Sequence, residues 1–143
     1  MTTSSLALSI RQPWAELIMS GRKDVEVRTW SDLYRGPLWI HTGAKVDEIA
    51  AKRFRLGPLF TGGVIGLAEL VDIRPMDAAL FAAWRPRHLD LSQFSNGRVL
   101  YGWVFEHVRR LAEPRACKGA LGIFELNEGA VSVEELRRLA TTS

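Results

Sequence analysis

The sequence predicts one α+β domain with about six strands and several short helices. Its 143 residues, of which 47% are hydrophobic and 24% charged, are enough to bury one continuous core. Six segments carry the β-branched and aromatic residues or the alternating pattern of strands. Short helical segments between them are bounded by capping residues, Gly and Pro. Spacing alone leaves open whether the strands form an open sheet or a small barrel.

In the first half, strands are expected over 6–10, 24–30 and 37–42. A first helix is expected between them, because Pro13 suits a first helical position and Gly21 suits a left-handed cap. A second helix is expected over 47–55, ended by a Gly-Pro pair.

In the second half, a strand is expected over 64–73 and a helix over 77–84 that Pro86 ends. The segment 85–100 is polar and is expected to be irregular. The longest strand is predicted over 101–111, with Trp103, Phe105 and His107 on one face. A strand over 120–126 and a closing helix within 128–143 complete the chain.

Composition narrows the classes of function. The net charge of +3 is a mild surplus that permits nucleic-acid binding without requiring it. No unbroken apolar stretch of about 20 residues is present, and the N-terminal residues lack a secretion signal, so a cytoplasmic protein without a membrane span is expected. The single Cys117 forms neither an internal disulfide nor a zinc site, and no metal or cofactor is expected.

Residues 21–30 concentrate the candidate site. Val25 and Val27 alternate with polar residues, so one face of this strand is expected to meet the core. The other face carries Glu26, Arg28 and Trp30, with Lys23 at the mouth of the strand. Two cations, a carboxylate and an indole together suit a small, planar, polar ligand such as a nucleobase. The alternative is a surface ion pair, which would contribute about 0–1 kcal/mol.

The spacing Gly21-x-Lys23-x-x-Glu26-x-Arg28 resembles the GxKxxExR signature of the ASCH domain. Residues 8–15 (LSIRQPWA), 35–41 (RGPLWIH) and the following Ala44-Lys45 also resemble ASCH segments, and weaker similarity extends the match to about 5–127. The resemblance implies a single ASCH domain over 1–143. It also implies a PUA-like mixed β-barrel flanked by short helices, with a ligand cleft beside the motif strand and the first helix.

The resemblance implies a set of ligand-binding residues in that cleft. Lys23 and Arg28 would contact base or phosphate oxygens, Glu26 would accept from an amino group, and a tryptophan would stack on a base. The full set is Gln12, Trp14, Lys23, Glu26, Arg28, Trp30, Lys45 and Lys118. Structural alternatives stay open: Gln12 could order the start of the helix, the tryptophans could be core, and Lys118 could lie in an ordinary surface loop. His41 is expected to be a satisfied interior histidine.

The sequence is compatible with three functions. The preferred one is a binding module for RNA, other single-stranded nucleic acid or a nucleotide, the base being modified in some cases. The second is a hydrolase, because some small ASCH proteins deacylate modified cytidine and ribonuclease activity has been proposed for others. Lys23 and Glu26 would then be catalytic, although Glu26 occupies the position of that branch's threonine. The third is a protein-interaction domain, since the family is named after a transcriptional coactivator.

Overall fold

The computed structural model describes residues 5–126 and the isolated positions Ser132, Glu134 and Arg138. The helix expected within 128–143 otherwise lies outside the described residues. The strands are β1 (Leu6–Ser9), β2 (Val25–Arg28), β3 (Gly36–Thr42), β4 (Gly63–Met76), β5 (Leu100–Ala116) and β6 (Ile123–Glu125). The helices are α1 (Trp14–Met19), α2 (Glu48–Arg53), α3 (Ala78–Ala83) and α4 (Arg85–His88).

The six strands form one mixed sheet in the order β2-β5-β4-β3-β1-β6. The β1–β3 pair is parallel and the other four pairs are antiparallel. This confirms the predicted α+β class. Within residues 5–126, backbone pairing does not join β2 to β6, so the hydrogen-bonded ladder is open.

The open sheet nevertheless curls strongly. The Arg28 Nη2 atom on β2 donates to the Ser9 carbonyl oxygen on β1 at 2.8 Å. In a flat sheet these two strands, four places apart in the order, would be separated by about 19 Å, because neighbouring strands lie about 4.8 Å apart. One arginine side chain cannot span that distance. The sheet therefore bends towards a barrel, and its first and fifth strands approach each other.

The core lies inside the curl. Leu38 and Ile40 of β3 pack with Trp103 and Phe105 of β5 and with Ile18 of α1. Burying these large side chains supplies most of the driving force for folding, at about 1.5–3 kcal/mol for each aliphatic or Phe side chain.

Helix α1 packs on the long β4–β5 pair, and Gly66 allows this approach. A Cβ at Gly66 would lie 2.6 Å from the Arg109 carbonyl oxygen and would overlap Met19 of the helix. No larger residue fits there without moving helix or sheet. This packing places the end of α1, and the residues that follow it, beside β2.

The predicted face alternation of β5 fails at one point. Trp103 and Phe105 are buried as expected, but His107 is exposed and has a φ of 52°. The register shifts there, because Glu106 pairs with Glu69 and Arg109 pairs with Leu67. The segment of β5 between these pairs is therefore one residue longer than the segment of β4. Such a β-bulge reverses the faces of the residues beyond it.

The segment 85–100 is more ordered than expected. It contains α4 (Arg85–His88), and Pro86 lies in the first turn of this helix. Because proline lacks the N–H that a first turn leaves unpaired, it is compatible with that position. No helix in the described part of the chain is long and apolar enough to cross a membrane.

Candidate functional site

A buried lysine lies beneath the site. Lys23 follows the end of α1, and its side chain is only 2% exposed. Its Nζ donates to the His88 carbonyl oxygen, lies 3.3 Å from Glu26 Oε1 and sits over the Trp14 ring at 5.0 Å. Burial lowers the pKa of Lys23, while the Glu26 carboxylate opposes this by favouring the ammonium.

Glu26 bridges two cations. Its second oxygen, Oε2, lies 3.3 Å from Arg28 Nη2, and the residue is 8% exposed. The same Arg28 nitrogen donates to the Ser9 carbonyl, and Arg28 Nε is buried without a hydrogen-bond partner. Two residues apart on β2, Glu26 and Arg28 point to the same face, as strand geometry requires. The structure therefore joins Lys23, Glu26 and Arg28 into one charged cluster.

This cluster borders a cleft of about 460 Å³ at the seam where the curled sheet leaves β2 and β1 unpaired. Ser9, Glu26 and Arg28 line its floor, and Arg11 and Lys45 are exposed at its rim. Small residues at 43–44 form one wall, and the segment 120–122 forms the other. Within that segment Leu121 is 98% exposed, so an apolar side chain stands at the edge of a polar cleft.

Three of the predicted site residues, Glu26, Arg28 and Lys45, line the cleft. Lys23 does not line it but supports Glu26 from behind. Lys118 is exposed in the loop that leads to the 120–122 wall and is not a lining residue.

The remaining three predicted residues have structural contacts away from the lining. Gln12 is 1% exposed; its Nε2 donates to the Phe60 carbonyl, and its Oε1 accepts from the Glu16 N–H in α1. Trp14 packs edge-on against the ring of Phe54, which follows α2, with 5.8 Å between the ring centroids. Lys23 Nζ lies over the Trp14 ring. Trp30 packs against Trp103 at 4.6 Å. These contacts order the start of α1 and pack the two tryptophans against other aromatic rings.

Ser9, Arg11 and the 120–122 wall also line the cleft, although the sequence patterns do not predict them as site residues. Ser9 Oγ lies 3.0 Å from His41 Nδ1, and His41 Nε2 lies 2.9 Å from the Cys117 carbonyl oxygen. The signal that connects them is the parallel register of β1 and β3, which places Ser9 beside His41. Strand alternation reveals faces but not neighbours, so that register was not available from the sequence.

Cys117 is not a reactive thiol by its surroundings. Burial raises its pKa, so less thiolate is present near neutral pH. Within the described residues no group of three or more His, Cys, Asp or Glu side chains is placed to hold a metal ion.

Comparison with known proteins gives the family. The ASCH domain model matches residues 8–124. Activating signal cointegrator 1 of Homo sapiens is 53% identical over 80 residues, and that of Mus musculus is 50% identical over the same length. Each alignment covers 46% of this chain and 14% of the relative, so the chain spans a small part of these relatives.

Solved structures give the same fold. A crystal structure of ASCH from Zymomonas mobilis superposes with a TM-score of 0.67 at 17% identity, covering 94% of both chains. A point mutant of that protein gives a TM-score of 0.67 over 96% of this chain and 99% of the other. At such identity the likeness concerns the fold alone. Because the family model matches most of its length, this chain belongs to the ASCH domain family.

Proposed function

We propose that this protein binds single-stranded RNA and holds one base or nucleotide in the cleft. Membership of the ASCH family supports an RNA-binding or related role. The observation that carries the proposal is a cleft of about 460 Å³ with a carboxylate and a guanidinium side by side on its floor. That volume lies in the range of roughly 300–1,000 Å³ in which small-molecule sites fall.

The floor suits the edge of a base. Glu26 would accept from an exocyclic amine, while Arg28 would donate to a ring nitrogen or a carbonyl oxygen of the same base. Both groups are held before a ligand arrives, Glu26 by the Lys23 ammonium and Arg28 by the Ser9 carbonyl. Such preorganisation reduces the ordering entropy lost on binding.

The rim suits the backbone of the nucleic acid. Arg11 and Lys45 are exposed cations on the cleft lining and would neutralise phosphates next to the bound base. The exposed Leu121 would pack on the base or the sugar. Because Trp14 and Trp30 lie outside the lining, recognition here relies on the base edge and phosphates more than on tryptophan stacking.

A salt titration tests this proposal. Fluorescence anisotropy with a labelled ten-nucleotide single-stranded RNA should show log K falling linearly with log salt, by about 0.7 per phosphate neutralised. Arg11→Ala and Lys45→Ala should each lower the affinity and reduce the slope by about 0.7. Arg98→Ala, an exposed cation outside the cleft lining, is the matched control and should change neither. Salt-independent binding, or equal effects of all three substitutions, would contradict the proposal.

A hydrolase acting on a modified nucleoside is the second candidate, favoured by the lowered pKa of Lys23. A lysine that loses its proton more readily is present more often as the neutral amine that a general base requires. Its position opposes this role, since the ammonium is engaged by Glu26 and the His88 carbonyl behind the cleft floor. We therefore expect no release of the acyl group that depends on Lys23 when acylated cytidine is incubated with the protein and followed by chromatography. Turnover that Lys23→Ala abolishes would favour the hydrolase instead.

A further inference from the structure

A serine and a histidine meet on the floor of the cleft. Ser9 ends β1 and lines the cleft, while His41, its neighbour on β3, is 2% exposed and lies behind it. The 3.0 Å between Ser9 Oγ and His41 Nδ1 is a hydrogen-bonding distance. Ser9 therefore lies on the cleft lining, and the imidazole contacts its hydroxyl from the protein side.

The partners of His41 fix its tautomer. Nε2 lies 2.9 Å from the Cys117 carbonyl oxygen, which can only accept, so in the neutral ring the proton is on Nε2. Nδ1 then has a free lone pair, and the Ser9 hydroxyl donates to it. Phe124 packs edge-on against the imidazole at 5.7 Å.

Gly119 holds the other side of the ring. A Cβ at this position would lie 2.8 Å from Nδ1 and closer still to Cε1, so only glycine lets the 117–122 loop lie directly on the imidazole. The ring therefore cannot turn without moving the loop. Orientation and tautomer of the base are both set before any substrate binds.

We propose that Ser9 and His41 form a nucleophile–base pair and that the cleft hydrolyses a carboxylic ester. A hydroxyl in contact with a base that is oriented by a third group is the arrangement that activates serine for acyl transfer. Here the third group is the Cys117 carbonyl. The Arg28 guanidinium, hydrogen-bonded to the Ser9 carbonyl, is the nearby cation for negative charge on the ester oxygen.

The reaction balances with water as the only co-reactant. Ser9 Oγ attacks the ester carbonyl carbon, and its proton passes to His41 Nδ1. The carbon–oxygen bond to the alcohol breaks, the alkoxide takes the proton from His41, and an acyl ester remains on Ser9. Water then attacks that acyl ester, giving its proton to His41, which returns it to Ser9 Oγ as the free acid leaves.

The cleft favours an ester that carries an anionic group. Arg11 and Lys45 stand at the rim, and Glu26 on the floor is already balanced by Lys23 and Arg28. Because both cations are exposed, one such contact corresponds to a preference of up to about fivefold. This inference rests on the Ser9–His41 geometry and does not depend on RNA as the ligand.

A covalent probe tests the pair directly. Incubation of the full chain with a biotinylated fluorophosphonate, followed by peptide mass spectrometry, should give one adduct, on Ser9. Ser9→Ala should give none, and His41→Gln should slow labelling by about 100-fold, the lower range for loss of a general base. Ser95→Ala, an exposed serine away from the cleft lining, should label at the unchanged rate. In the wild type, p-nitrophenyl succinate should be cleaved faster than p-nitrophenyl acetate, and Lys45→Ala should reduce that preference, since Arg11 remains at the rim.

Two results would overturn the inference. One is folded wild-type protein, verified by circular dichroism, that gains no Ser9 adduct. The other is a Ser9 adduct that forms as fast in a folded His41→Gln variant. If that variant does not fold, Ser9→Cys replaces it. If His41 activates this position, the new thiol should react with iodoacetamide faster than a thiol introduced by Ser95→Cys. Equal rates would refute the pair. All labelling is done without RNA, so its failure alongside salt-dependent RNA binding would overturn this inference alone.

Discussion

Replacing Glu26 by glutamine should reveal how strongly the charged cluster depends on one carboxylate. Glu26→Gln keeps the size of the side chain and an acceptor oxygen but leaves the Lys23 ammonium, 2% exposed, without its counter-charge. Removing one partner of a buried ion pair costs about 3–5 kcal/mol, because the remaining charge is desolvated and uncompensated. At about 2–4 °C per kcal/mol for a chain near this size, the Tm should fall by roughly 10 °C.

The loss should depend on pH in a defined direction. The ordinary pKa of lysine is 10.5, and burial lowers the pKa of Lys23 in the folded protein. Between the two values the unfolded chain binds more protons than the folded one, so stability rises with pH. Without Glu26, which raises the pKa of Lys23, the folded value falls further and this window extends to lower pH. Raising the pH towards 10 should therefore recover more stability in Glu26→Gln than in the wild type.

Urea unfolding followed by the fluorescence of the five tryptophans measures these changes. Lys23→Met in the Glu26→Gln background should recover part of the loss, because it removes the uncompensated ammonium. Glu106→Gln is the matched control, since that carboxylate is 58% exposed and should change stability by less than about 1 kcal/mol. A Glu26→Gln variant within 1 kcal/mol of the wild type, or one that Lys23→Met destabilises further, would refute the reasoning.

The other expected outcomes concern the cleft walls and a helix cap. Gly119→Ala should lower the free energy of unfolding, measured in urea, by about 1–3 kcal/mol, because its Cβ would overlap the His41 ring. Gly57→Ala is the control and should not lower it, because its Cβ would meet nothing within 4 Å. Asp47→Ala should lower the free energy of unfolding by about 1 kcal/mol, as it removes the side chain that caps α2, and an unchanged urea midpoint would exclude that role. Leu121→Ser should leave the urea midpoint unchanged but weaken RNA binding in the anisotropy assay, and unaltered affinity would remove Leu121 from the proposed contact.

Most elements of the fold could be predicted because their signals are local. The Asp47 cap accepts from the Ala50 N–H at 3.0 Å, within one turn of the chain. The alternating sequence patterns that predict β2 and β5 likewise depend only on neighbouring residues. The bulge at His107 could not be predicted, because it depends on how β5 pairs with a strand about 40 positions away in the sequence.

The candidate site likewise combines local contacts, which the sequence predicts, with contacts between distant segments, which it does not. Lys23, Glu26 and Arg28 meet because short spacings on one strand and at its start bring them together, which the sequence reveals. That Lys23 is sealed in depends on the His88 carbonyl, 65 positions later in the chain. The Ser9–His41 contact depends in turn on the parallel pairing of β1 and β3. Local patterns thus predict the charges of the site but not which of them reach the cleft.

Because the Lys23 side chain is buried, its chemical modification can report local opening of the folded protein. Of the four lysines, Lys45, Lys52 and Lys118 are exposed and would react with an amine reagent at once. Lys23 becomes accessible only when the segment carrying His88 separates from β2, so its acylation rate measures that event. In a mass spectrum of the acylated protein, molecules with three modified lysines would be those that stayed closed. Molecules with four would be those that had opened.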